Sequence, residues 1–133
     1  MGRRRRRQRG DAIVEFALLV PTLVLILFGV LELGRVVDAW LVVHNAAREG
    51  ARAGALVYPD PTTAARTAAS TYLTSALGSR TDVAALPTPA VTYTSDTVQV
   101  TAEADVQLYT PLFQALLSTS TVQVRASTSM RRQ

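Results

Sequence analysis

The most prominent pattern in the chain is a largely apolar run of twenty residues, Ala12 to Leu31. It reads AIVEFALLVPTLVLILFGVL, and Glu15 is its one ionisable residue. As an α-helix rising about 1.5 Å per residue, it spans roughly 30 Å, the thickness of the hydrocarbon core of a bilayer. The rest of a 133-residue chain is too small to cover such a helix on all sides. The pattern therefore predicts a transmembrane helix over residues 11–34.

Two residues inside this run carry predictions of their own. A carboxylate in the hydrocarbon costs about 3 kcal/mol, so Glu15 is expected either to reach water at the headgroups or to meet a positive charge. Pro21 has no N–H and leaves the carbonyl of Ala17 without its helical partner. We predict a helix kink at Pro21, either as a tolerated membrane proline or as a bend used in packing.

Beyond the apolar run the pattern becomes that of an amphipathic helix, predicted to continue over residues 35–57. Polar residues recur there at helical spacing. The stripe predicted to face a core consists of Val36, Trp40, Val43, Ala47 and Ala51. For Trp40 the alternative is an anchor at the lipid headgroups. Ala46, Gly50 and Gly54 form a row of small residues that lets another backbone approach closely. We predict that this face packs on the chain's own sheet, with a contact to a second helix as the alternative.

The remainder, residues 58–133, is predicted to form a small α+β domain. The segment Tyr58-Pro59-Asp60-Pro61 ends the long helix, and a short helix follows. We predict Asp60 as its cap, Pro61 as its first residue and Gly78 just beyond its end. Its apolar face consists of Ala65, Ala68, Ala69, Tyr72, Leu73 and Ala76. Residues 79–89 are interpreted as a linker or irregular loop.

A period of two then predicts three strands. The alternating apolar positions are Val91, Tyr93, Val98, Val100, Ala102, Ala104, Val106, Val122, Val124 and Ala126. Between the last two strands, the segment LFQALL is predicted as a short turn that closes the sheet or, alternatively, contacts another subunit. The predicted fold is α+β: a long N-terminal helix packed on a small three-stranded antiparallel sheet, with one additional short helix.

Positive charge is concentrated at the start of the chain. All 14 basic residues are arginines, and residues 11–133 carry a net charge of −2 against +4 for the whole chain. The clustered arginines are Arg3, Arg4, Arg5, Arg6, Arg7 and Arg9. Basic residues ahead of a membrane helix hold that end in the cytoplasm. We therefore predict a single-pass protein of the cytoplasmic membrane, with a cytoplasmic leader over 1–10 and an extracytoplasmic domain.

Other targeting and function classes fit the sequence less well. A cleaved secretory signal needs a small-x-small site soon after the apolar run, where the chain instead has Glu32-Leu33-Gly34-Arg35. A basic nucleic-acid-binding face is not expected, because the excess charge lies in the leader. The absence of cysteine excludes disulfides and thiol catalysis.

Residues typical of catalysis or metal binding are sparse. His44 has no accompanying cluster of ligands, and Glu103 and Asp105, two apart on one strand, are expected to be solvated charges. No nucleotide-binding, zinc-protease or serine-hydrolase motif occurs. We predict that the protein is not an enzyme and holds neither a cofactor nor a metal.

Several of these features occur together in a known family. The segment RGDAIVEFALLVPTLVLILFGVLELGR, followed by VHNAAREGARAGA, resembles the TadE-like proteins of the Tad (tight adherence) pilus system. These are minor pilins or pseudopilins related to type IV pilins. The shared features are the arginine-rich leader, Gly10, the pair Glu15-Phe16, the proline in the apolar run and the AAREGAR segment. The close resemblance covers about residues 8–55.

This resemblance implies a pilin-like fold and a function in the assembly or structure of an adhesive pilus. It also implies that a prepilin peptidase cuts between Gly10 and Asp11. Glu15 would then lie beside a new ammonium group and set the register between packed helices. The implied partners are the bilayer, the peptidase, other Tad pilins or pseudopilins and assembly-platform proteins, without nucleic acid. The alternative is an unprocessed, membrane-anchored envelope scaffold or binding protein.

Overall fold

The fold is α+β, as predicted. The computed structural model describes the backbone of residues 3–132 and the side chains of residues 12–132. The elements in chain order are α1 (Arg3–Ala55), α2 (Thr62–Leu77), β1 (Val83–Ala85), β2 (Ala90–Tyr93), β3 (Thr97–Gln107), α3 (Pro111–Leu117) and β4 (Thr121–Arg131). The chain divides into two compact units, an N-terminal unit, Met1–Leu33, and a C-terminal unit, Gly34–Gln133.

The N-terminal unit consists of the first part of α1, which continues through Pro21 without interruption. Its large apolar side chains between Ile13 and Leu33 are mostly exposed, with values from 40% to 72%. Among the described residues, α1 is the one helix long and apolar enough to cross a membrane. Its most apolar window has a mean hydropathy of 2.6 and is not buried. Such a surface requires an apolar environment outside the chain.

The sheet of the C-terminal unit is built around β3. The antiparallel partner β4 runs along the whole of β3, from the pair Thr97–Arg131 to the pair Gln107–Thr121. The other edge of β3 is shared by β2, which pairs near its start, and β1, which pairs near its end. The sheet therefore has four strands but is three strands wide.

The fourth strand corrects the sequence prediction, which placed β1 in a loop. β1 has only three residues, and its register shifts between Val83 and Ala85. A bulged strand of this length has no alternating pattern, so its pairing depends on β3 and not on its own sequence.

The core lies between α1, α2 and the inner face of the sheet. The alternation predicted for β3 is confirmed, because every second residue from Val98 to Val106 is fully buried. The residues that α1 and α2 contribute are Ala39, Val43, Ala46, Ala47, Ala51, Ala65, Ala69, Leu73 and Leu77. Four of the five α1 residues and two of the four α2 residues are alanine, which allows the helices to approach each other and the sheet closely.

Three side chains predicted to be buried are exposed instead. Trp40 is 44% exposed and stacks on His44, with 5.6 Å between the ring centroids. Tyr72 and Ala76 of α2 are also exposed, since its buried stripe repeats every fourth residue and ends at Leu77. The other predicted positions are largely confirmed, since the following are buried: Val43, Ala47, Ala51, Ala65, Ala69 and Leu73.

The ends of α2 differ by one position from the prediction. Pro61 is the N-cap and Thr62 the first helical residue, while the Asp60 carboxylate accepts a 2.8 Å hydrogen bond from the Thr62 N–H. Hydrogen bonds from the Thr62 side chain and from this N–H lower the pKa of Asp60. Gly78 is the C-cap itself and has ordinary helical dihedrals, so no left-handed conformation is needed there.

Candidate functional site

The residues predicted to guide assembly lie on the exposed apolar surface of the N-terminal unit. Glu15 is exposed, and the neighbouring Phe16 is 69% exposed. Pro21 lies inside the continuous helix, so the predicted kink stays a prediction. The side chains of the arginine leader and of Gly10 and Asp11 lie outside the described residues. The described residues thus place the Glu15 carboxylate among exposed apolar side chains of the helix.

The row of small residues on α1 lies where α1 meets both α2 and β3. A Cβ atom added at Gly50 would lie 2.8 Å from the Ala65 carbonyl oxygen and 2.9 Å from the Ala69 Cβ. One added at Gly54 would lie 2.9 Å from the Ala65 Cβ and 3.0 Å from Val98. Ala46 is fully buried in the same core. Within this chain the row therefore packs against its own second helix as well as its sheet.

A cluster of ion pairs fixes the end of the C-terminal unit where α1 enters it. Arg80 donates two hydrogen bonds to the Asp82 carboxylate, at 2.9 and 2.7 Å, and Arg35 donates a third at 3.3 Å. Arg80 also pairs with Asp38 of α1. The Asp82 residue is only 8% exposed. The bonds from Arg80, aided by Arg35, hold the pKa of Asp82 at about 2, while Asp82 raises the pKa of Arg80.

Arg35 connects this cluster to the end of β3. Its guanidinium donates a 3.1 Å hydrogen bond to the Gln107 carbonyl and lies 4.1 Å from the centre of the Tyr109 ring. The Gln107 N–H in turn donates to the Asp82 carbonyl at 2.8 Å. The first turns of α1 in this unit, the loop before β1 and the end of β3 are thus held together.

Sequence reasoning missed this cluster. Arg35 and Asp38 were interpreted as the polar face of a helix, and Arg80 and Asp82 as part of a loop. The only local signal is the Arg-Thr-Asp triplet at 80–82, which is too common to identify an ion pair with a distant helix.

The opposite end of the C-terminal unit is fixed by Arg132. Its guanidinium donates to the carbonyls of Val57, Pro59 and Thr94 at 2.9–3.1 Å. It also lies 5.1 Å from the ring centre of Tyr58. The residue after β4 thereby holds the chain that leaves α1, although sequence patterns gave no indication of this.

Of the side chains considered for catalysis, Glu103 and Asp105 lie two apart on β3 and His44 lies on α1. Glu103 pairs with Arg125 across the β3–β4 ladder at 3.0 Å, and Asp105 lies opposite Gln123. His44 stacks on Trp40. Within residues 12–132 no group of three or more His, Cys, Asp or Glu side chains could hold a metal ion.

Comparison with known proteins gives a match that covers most of α1. Residues 10–52 match the family of TadE-like proteins. The resemblance predicted from the sequence is confirmed for these residues. The matched range includes Gly10, Glu15, Pro21 and Gly50, so the TadE-like segment contains both the apolar helix and part of the small-residue row. No curated protein and no solved structure matches the chain. The TadE-like match and the long apolar helix fit a membrane-anchored protein related to the Tad pilus.

Proposed function

We propose that this chain is a minor pilin or pseudopilin that takes part in the assembly or structure of a Tad-type adhesive pilus. It is inserted with its arginine leader in the cytoplasm and processed between Gly10 and Asp11. Its α1 helix then packs laterally against similar helices. The observation that carries the proposal is the exposed Glu15 carboxylate on an exposed apolar helix, within a segment that matches TadE-like proteins.

Glu15 has a physical role in this proposal. A carboxylate among lipid tails is unfavourable, and pairing with an ammonium group offsets that cost most effectively where water is excluded. Cleavage after Gly10 creates such a group on Asp11, about one helical turn before Glu15. An Asp11 ammonium from a neighbouring subunit satisfies Glu15 only at one axial offset between the two helices.

Processing is tested by determining the mature N-terminus in a host that contains a Tad prepilin peptidase. We expect mass spectrometry of the membrane-extracted protein to find Asp11 as the first residue. Gly10→Val should block cleavage, whereas Gly34→Val, the same change where a Cβ meets nothing within 4 Å, should leave it intact. An unprocessed Met1 or Gly2 terminus in the wild-type protein contradicts the processing step.

The register role is tested by Glu15→Gln. We expect normal membrane insertion but loss of pilus assembly, because the glutamine is nearly isosteric and lacks the charge. Glu49→Gln is the matched control, since Glu49 is on the same helix and pairs with the exposed Arg52 of its own turn. Assembly is scored by pilus yield after shearing, and insertion by resistance to alkaline extraction. Wild-type assembly by Glu15→Gln would instead favour the unprocessed envelope scaffold.

A further inference from the structure

Helix α3 presents an apolar surface that the chain itself does not cover. None of its seven residues is buried. Leu112, Leu116 and Leu117 are 48%, 73% and 53% exposed. The sequence prediction that this segment closes the sheet or core is therefore wrong, and its surface needs another partner.

The position of α3 in the C-terminal unit indicates which partner that is. α3 follows β3 directly, and the Gln114 side chain donates to the Leu108 carbonyl, which holds α3 against the end of that strand. The same strand end is bound to Arg35 through Gln107 and Tyr109. Arg35 is four residues beyond the apolar run of α1, which ends at Leu31. In a chain anchored as proposed, a connection of four residues keeps Arg35 within reach of the lipid surface.

The composition of the segment around α3 agrees with that location. No charged residue occurs from Val106 to Val124, although charged residues make up 18% of the chain. Tyr109 is 52% exposed at the start of this stretch. Tyrosine is enriched at membrane–water interfaces, and leucine is common on the apolar face of segments that lie in them.

We propose that α3 is a second membrane contact, with Leu112, Leu116 and Leu117 inserted in the outer interface of the bilayer that α1 spans. The contact holds the C-terminal unit against the lipid surface before the subunit leaves the membrane. The inference rests on the membrane anchoring in the proposed function, but it requires neither cleavage by the peptidase nor a pilus.

The absence of cysteine allows a direct test in the full-length chain. Single cysteines replace Leu116, Leu56 or Leu23, and each carries an environment-sensitive fluorophore in vesicles of phosphatidylcholine and phosphatidylglycerol at a low protein-to-lipid ratio. Leu56 is the matched control, since it is a similarly exposed leucine, at 65%. It follows Ala55 at the far end of the helix, about 30 Å from Arg35 by helical rise. Leu23 reports on the apolar segment itself.

Two kinds of quencher separate the outcomes: nitroxides attached to the lipid, either near its headgroup or along its acyl chain, and iodide in the water on both sides. We expect the probe at Leu116→Cys to be quenched by the lipid nitroxide and shielded from iodide, with its emission shifted to the blue. The probe at Leu56→Cys should show the reverse. Equal iodide quenching at both positions overturns the membrane contact.

Other quenching results also support or overturn the α3 contact. Shielding of the Leu116 probe from both quenchers, increasing with the protein-to-lipid ratio, overturns the membrane contact in favour of a second copy of the chain. Absence of lipid quenching at Leu23→Cys overturns membrane anchoring and the α3 contact together. Lipid quenching at both Leu23 and Leu116 supports the contact even if Glu15→Gln assembles normally, so the two proposals fail separately.

Discussion

Asp82 is the buried charged residue of the C-terminal unit, with 8% of its surface exposed. Its carboxylate receives hydrogen bonds from two arginines that come from α1 and from the loop before β1. Removing it takes away the carboxylate that both guanidinium groups share, each of which is about a quarter exposed. Loss of one member of a buried charge pair is far more costly than loss of an exposed one.

We therefore expect Asp82→Asn to destabilise the C-terminal unit by about 3 kcal/mol. Glu103→Gln is the control, because it also removes one carboxylate from an ion pair, but its partner Arg125 is 66% exposed. It should cost less than about 1 kcal/mol. Urea unfolding of the detergent-solubilised chain, followed by circular dichroism, measures both. Equal effects of the two substitutions would show that the Asp82 cluster is not a stabilising contact.

The same carboxylate predicts a pH dependence with a definite sign. Its pKa of about 2 lies below the ordinary 3.8, so the unfolded chain takes up the proton before the folded chain does. The stabilisation is complete above about pH 5, and about 2 kcal/mol of it is lost as the pH falls towards 2. Asp82→Asn should lack this part of the acid dependence, whereas Glu103→Gln should keep it.

At the scale of secondary structure, two glycines of α1 differ in their surroundings: Gly50 is closely packed and Gly34 is not. At Gly50 an added Cβ would press on the Ala65 carbonyl and the Ala69 side chain at under 3 Å. At Gly34 nothing lies within 4 Å. The close approach of α1 to α2 therefore depends on the first glycine and not on the second.

Alanine at the two positions should consequently have opposite effects. Gly50→Ala is expected to destabilise the C-terminal unit by about 1–3 kcal/mol, since backbone atoms of α2 must shift. Gly34→Ala is expected to stabilise α1 by up to about 1 kcal/mol through helix propensity. Thermal unfolding of the full chain in detergent compares them, and a Gly50→Ala protein at least as stable as the wild type would contradict the packing described.

The elements that sequence patterns predicted correctly are those whose burial follows their own period. β3 alternates over eleven residues against one core, so its buried positions could be read directly from the sequence. α3 has the spacing of an apolar helix face but only seven residues, and it was interpreted as a turn. Its exposure could not be predicted, because it depends on where the end of β3 lies in the folded unit.

For the whole molecule, the local features of the candidate site could be predicted from the sequence, whereas its long-range contacts could not. The apolar run, Glu15 and the TadE-like resemblance are local in sequence, and the family match bears out the resemblance. The Asp82 cluster joins residues 47 positions apart, and Arg132 joins residues up to 75 apart. Contacts at such separations arise from tertiary packing and leave no periodic signal in one sequence.

The orientation of the whole chain in the membrane is expected to depend on the positive charges at its N-terminal end. Replacing the six arginines between Arg3 and Arg9 by glutamine should remove the bias that keeps the N-terminus in the cytoplasm. The control removes Arg125 and Arg131, which are exposed and far along the chain from the apolar run. Each variant carries Ser95→Cys, placed on the exposed turn before β3.

Intact cells are then treated with a maleimide that does not cross the membrane. The wild-type leader and the control should give full labelling from outside, because the C-terminal unit is exported in both. The leader variant should lose a large part of this labelling while its membrane content stays the same, since the apolar run still inserts. Unchanged labelling of the leader variant would mean that the folding of the C-terminal unit or a partner sets the orientation, and that the arginine cluster has another role.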